Sequence, residues 1–174
     1  MIAPPPSPVA LPAAPAHEAE WEDWLLRFEL GPRLLRVAAE DLPPPAWRRP
    51  LPTGLRPLDH LLHVVAWERH FGAWLAAAAA GQPAPEPPPP LPGEALLAPV
   101  PPRGDAEPAA LLEEFAARRA AHFARLQPRG PEVWAWRAAW PDGRAPTLPQ
   151  LLAWLLRHEA WHAAHLRRAT GPGC

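Results

Sequence analysis

The stretch from Leu151 to Leu166 reads as one amphipathic helix with histidines on its apolar side. At about 100° per residue, His158, His162 and His165 share a stripe with Leu151, Leu155 and Ala169. That stripe faces a core, which limits the chain to folds that can bury imidazoles. A buried polar group without a partner is costly. A metal ion is the simplest partner for two or three imidazoles at once, and histidines at i and i+4 lie one turn apart and can share it. The competing reading is a set of histidines hydrogen-bonded to carboxylates or water at the edge of a bundle.

Three further helical patterns supply the rest of the core. The first starts near His17, carries Trp21, Trp24, Leu25 and Phe28, and continues beyond Gly31-Pro32 through Leu34, Leu35, Val37 and Ala38. Pro32 is expected to kink or split it, and Leu42-Pro-Pro-Pro45 to end it. The second runs from Arg56-Pro57 to about Ala80 and stops at Gly81. Leu58, Leu62, Val65 and Ala76 line one side of it, and His63, Trp67, His70 and Trp74 the other. A helix apolar on both sides is packed on both sides. The third opens at Asp105-Ala-Glu107-Pro108 and reaches about Leu126, with Leu111, Leu112, Phe115, Phe123 and Leu126 as its apolar set. Thr147-Leu-Pro-Gln150 forms a capping box ahead of the histidine helix, which ends near Thr170.

Four such helices predict an all-α four-helix bundle. Between the second and third, Gln82 to about Gly104 is dominated by proline and should be extended, with polyproline II character. It is long enough for a crossover along the bundle, which would make helices two and three parallel neighbours. Residues 1–15, rich in Pro and Ala, are expected to be disordered, leaving 16–171 as a single domain. Residues 128–146 are irregular, with Val133-Trp134-Ala135-Trp136 spaced for a short strand.

Composition removes several functions. The net charge is −1, which argues against nucleic-acid or acidic-membrane partners. All 17 basic residues are Arg, and Pro (30) and Ala are over-used, a bias that warns against reading a role into each proline. The only Cys, Cys174, cannot form an intramolecular disulfide. No signal-peptide pattern precedes residue 17, and the longest apolar run, Trp74 to Ala80, is too short to span a bilayer. A cytoplasmic protein is the expectation.

His158-Glu159-Ala-Trp-His162 also matches H-E-x-x-H, the zinc-protease helix in which Glu is the general base. A protease needs its third ligand downstream and an edge strand for the peptide, and neither is evident here. Glu159 lies about 80–100° off the histidine stripe, placed as an outer acceptor, a base, or half of a salt bridge within the bundle. A third ligand from another helix has four candidates, His60, His63, His70 and His122, and position alone does not choose among them.

The chain resembles the DinB/YfiT-like superfamily of four-helix-bundle metalloenzymes. Leu61-Leu62-His63-Val64-Val65-Ala66-Trp67-Glu68 is similar to its helix-two pattern, in which hydrophobic residues precede a His that is followed by hydrophobic-x-x-x-Glu. His158-x-x-x-His162 is similar to its helix-four pair, and the long connection between helices two and three also fits. The resemblance implies His63, His158 and His162 as ligands, with water in the open positions. His165 stands where family members often carry Gln, which makes it an extra ligand or an outer partner; His60 is a second candidate for that role. Three imidazoles suit zinc or nickel, and also iron or copper. The implied function is that of a metal-dependent hydrolase or thiol S-transferase acting on a small molecule, with a low-molecular-weight thiol as cosubstrate in the second case. A non-catalytic metal-binding bundle is the alternative. Trp67 and Trp74 read as core residues, with the lining of a pocket above the metal as the sharper option. A homodimer is expected.

Overall fold

The computed structural model describes residues 7–52, 54–85, 106–140 and 143–169. Its helices are α1 (Glu18–Ala39), α2 (Pro57–Ala79), α3 (Pro108–Leu126) and α4 (Leu148–Arg168), with short 3-10 turns at Pro8–Ala10, Ala46–Arg48 and Pro131–Val133. The starts and stops follow local chemistry. His17 Nδ1 accepts from the Glu20 N–H at the start of α1 (3.1 Å). The Arg56 N–H donates to Asp59 Oδ2 (2.8 Å) at the start of α2. The capping box read at Thr147 is formed: its N–H donates to Gln150 Oε1 (2.9 Å), and the Gln150 N–H to Thr147 Oγ1 (3.3 Å). Gly81 ends α2 at φ 64°, and the Gln82 N–H reaches back to the Ala77 carbonyl (2.9 Å), a left-handed cap suited to glycine.

Each helix has two neighbours. α1 packs on α3 and α4, and α2 on α3 and α4, so α1 faces α2 across a diagonal and α3 faces α4 across the other. Directions follow from which residues meet. Trp21 and Phe28 of α1 share a cluster with Leu148 and Leu155 of α4, while Leu35 and Ala38 share another with Ala163 and Leu166. α1 and α4 are therefore parallel. Leu58 and Leu61 of α2 cluster with Leu111 and Phe115 of α3, and Phe71 and Trp74 with Leu126, so these two helices are parallel as well. The chain runs up, down, down, up. The parallel α2–α3 pair requires the long crossover read from the sequence. The polyproline conformation expected there, over 86–105, lies outside the described residues.

Two expectations need correction. Of the kink or split expected at Pro32, the split does not occur, and α1 runs through it as one helix. The carbonyl that proline deprives of its N–H donor, that of Phe28, accepts instead from Arg119 Nη1 (2.8 Å), so the break in the hydrogen-bond ladder is repaired from α3. The 133–136 segment is no strand. Its N–H groups are spent in tight turns, Trp134 to Pro131 and Trp136 to Val133, and the only β-bridge among the described residues joins Arg137 to Thr147. Part of the N-terminal segment, from Ser7, lies against the bundle. Leu11 is buried, its carbonyl accepts from Gln150 Nε2 (2.8 Å), and the Ala13 carbonyl accepts from Thr147 Oγ1, so the tail seals the start of α4.

A polar layer separates the two apolar clusters. Arg119, 1% exposed, donates to both carboxylate oxygens of Glu68 (3.0 and 2.7 Å) and to both of Glu159, and its guanidinium lies over the Phe28 ring (3.9 Å). His122 Nδ1 meets Glu68 Oε1 at 2.7 Å. No helix of the described residues is long and apolar enough to cross a membrane.

Candidate metal centre

The antiparallel α2–α4 contact brings His63 against His158 and His162. His63 Nε2 lies 3.0 Å from His158 Nε2, which lies 3.1 Å from His162 Nε2. One ligand atom from each of the three lies within 4.8 Å of the others, and they form the only such group of three or more among the described residues. His158 and His162 are buried and His63 is half-buried.

The donor set fits a metal better than it fits itself. A neutral imidazole has one N–H and one lone pair. His158 Nε2 faces two other Nε2 atoms, and a single nitrogen cannot both donate and accept. A cation among them accepts all three lone pairs together. At metal–nitrogen distances of about 2.0–2.1 Å, neighbouring ligands lie about 2.9–3.4 Å apart, which brackets the spacings of His158 to its two neighbours. Burial holds His63 down at about 4. Burial, and then the charge on adjacent imidazoles, holds His158 and His162 well below the usual range. The lone pairs are therefore free at neutral pH, as coordination requires.

An aromatic wall borders the ligands. Trp154, one turn before His158, stacks on its ring (4.6 Å, 13°). Trp67 stands edge-on to both His63 (6.1 Å) and His158 (6.2 Å) and stacks on Trp140 (6.0 Å, 9°). Of the two tryptophans read as core or pocket lining, both are buried, and Trp67 also touches the ligands. Trp74 is fully buried deeper in the core, against His70, Phe71 and Trp140. Sequence reasoning misses Trp154 and Trp140 as wall residues, although the i, i+4 spacing of Trp154 to His158 is legible.

The remaining candidates lie elsewhere. His60 Nδ1 meets His162 Nδ1 at 2.9 Å, on the side of that ring away from the cluster, and His165 stacks on His60 (4.9 Å, 15°). Neither residue joins the three converging Nε2 atoms. His70 is wedged between Trp67 and Trp74, and His122 is held by Glu68. Both oxygens of Glu159 are taken by Arg119. Its carboxylate abuts Gly31 of α1, where a β-carbon would collide with it. Burial raises the Glu159 pKa, against the pull of Arg119. Arg119 also escapes a reading of the sequence. Its signal is its position on the α3 stripe 111, 115, 119, 122, 126, where an apolar residue belongs.

The DinB superfamily model matches residues 27–166. The chain belongs to that superfamily. Its fold is similar to that of YfiT from Bacillus subtilis, described as a probable metal-dependent hydrolase with an unusual four-helix bundle topology. The two are 15% identical, with a TM-score of 0.75 over 92% of this chain and 91% of that one. No curated protein matches.

Proposed function

We propose that this DinB superfamily member binds one divalent metal ion through His63, His158 and His162 and uses it for metal-dependent hydrolysis of a small molecule. The observation that carries the reading is a cluster of three converging Nε2 atoms with no fourth ligand beside them among the described residues. Structural sites for zinc close with four protein ligands, whereas catalytic ones keep a position open. A divalent ion held there supplies Lewis acidity, which lowers the pKa of a coordinated water or thiol.

The chain's own residues do the rest. The α2–α4 contact fixes the three rings. Trp154 and Trp67 pack against two of them and limit water access from that side. Glu159, engaged by Arg119, ties α4 to α3 and serves the scaffold. That engagement weighs against an H-E-x-x-H protease mechanism, which needs this carboxylate free as a base. Zinc or nickel is the proposed ion. Thiol transfer is the sister reaction, because the same open position suits a low-molecular-weight thiol.

Elemental analysis of untagged protein tests the site. The wild type and His17→Ala should carry about one ion per chain, as a single three-histidine site implies. His63→Ala, His158→Ala and His162→Ala should each lose it. In the cobalt-substituted protein, azide or a thiol should shift the visible spectrum by entering the open position. A wild type that takes up no zinc or nickel, or variants that all retain it, would remove the site. A spectrum indifferent to added ligands would make it structural.

A further inference from the structure

We propose that His60, outside the ligand set, is a positioning residue that accepts a hydrogen bond from His162 and so fixes the ring of that ligand. The inference rests on the reading of His63, His158 and His162 as ligands. In an imidazole the two nitrogens point away from each other, so one ring can serve a metal and a partner at once. His162 turns Nε2 to the cluster and Nδ1 to His60 Nδ1, 2.9 Å away. For Nε2 to offer its lone pair, the single proton of neutral His162 must sit on Nδ1. The atom facing that N–H must then bring a lone pair, which puts the proton of His60 on its own Nε2. Ligating histidines regularly give their second N–H to such a partner, which sets tautomer and orientation. Here the partner is another imidazole.

Two observations support the assignment. First, His60 is held in place. It is fully buried, stacked on His165 (4.9 Å, 15°) and tilted against Trp161 (5.6 Å). His60 precedes His63 by three residues on α2, and His165 follows His162 by three on α4. The antiparallel contact therefore lays a second histidine pair directly beside the ligands. Second, His60 Nε2 is buried with no hydrogen-bond partner among the described residues. A leucine would fill the same space without that orphan and its cost. The polar ring is explained by what its other nitrogen does. His165, whose own Nε2 is also without a hydrogen-bond partner among the described residues, acts on His60 through the stack and is not among the three residues that converge at the centre.

The test compares His60→Leu, which fills space without accepting, with His60→Asn, whose Oδ1 can stand in for Nδ1. Zinc affinity is measured by chelator competition and folding by circular dichroism. His60→Leu should weaken zinc about 10–100-fold, the usual cost of losing an outer partner, and His60→Asn should stay within a few-fold of wild type. Equal affinity in all three proteins overturns the proposal and leaves the ligand set standing. So does equal weakening in both variants, which would make the effect one of packing. A wild type that binds neither zinc nor nickel overturns both readings. Should His60→Leu not fold, nitrogen-15 spectra of zinc-loaded wild type decide. A protonated Nδ1 on His162 facing a bare Nδ1 on His60 supports the assignment, and a protonated His60 Nδ1 overturns it.

Discussion

At the scale of single residues, the centre is a group of imidazoles kept neutral by burial. His60 and His63 are both held down at about 4, chiefly by loss of solvent; at His60 the neighbouring imidazoles add to it. In the unfolded chain each would titrate near ~6.5. Below that pH the unfolded chain takes up protons that the folded, metal-free protein refuses. The stabilisation is therefore complete above about 6.5 and drains away as pH falls toward 4. A tenfold difference in proton affinity between the folded and unfolded chain is worth about 1.4 kcal/mol, so the two residues together make the loss several kcal/mol. The urea midpoint of metal-free protein should be flat from pH ~8 to ~7 and fall steeply between ~6.5 and ~4. His63→Leu should flatten part of that fall. A midpoint that holds or rises through the window would contradict the buried, neutral cluster. The helical spacing made His158 and His162 legible as partners. The choice of His63 came only with the family pattern, because periodicity places His60, His63 and His70 on α2 without saying which faces α4 at the right height. Which ring nitrogen points where has no trace in a sequence.

At the scale of elements, α1 and α3 are coupled through one missing hydrogen. Pro32 removes the donor for the Phe28 carbonyl, and Arg119 supplies another from across the interface. Gly31 beside it has no side chain to keep the guanidinium and the Glu159 carboxylate away; a β-carbon there would lie 2.7 Å from Arg119 Nη1. The dipeptide that looked like a helix break is thus a docking notch. Removing the cation strands Glu68 and Glu159 in the interior, so Arg119→Met should cost about 3–5 kcal/mol in urea denaturation. In a Pro32→Ala background the Phe28 carbonyl regains an N–H from within its own helix. Arg119→Met should then cost about 1 kcal/mol less, the net worth of one hydrogen bond. Additivity of the two substitutions to within ~0.3 kcal/mol would show that no such coupling exists. The helix boundaries were readable because caps and prolines act locally. The continuity of α1 was not, because the group that repairs it lies 91 residues away.

At the scale of the whole molecule, the up-down-down-up order decides what a metal can do for stability. The crossover made parallel α2 and α3 foreseeable. Nothing local announces that α1 and α4 are also parallel, since no connection joins them; that pairing follows from closing the square of helices. One consequence is that α2 meets α4 antiparallel, and the candidate ligands His63 and His158 on the two helices are 95 residues apart in the chain. An ion there would tie together two helices that no short loop connects, and would favour the folded state, in which the three rings converge. At a free ion concentration of ~100 times Kd, such binding adds about 2.7 kcal/mol. For a chain of this size each kcal/mol raises the melting temperature by about 2–4 °C, which gives a rise of about 5–11 °C. Calorimetry with zinc, and again after a chelator, should show that rise and its reversal in the wild type. His158→Ala should show neither. The same rise in the variant would place the stabilising ion elsewhere on the bundle. Bound zinc with no rise in the wild type would mean that the α2–α4 contact gains nothing from the ion, and that the three rings are set by the aromatic wall and the Arg119 layer alone.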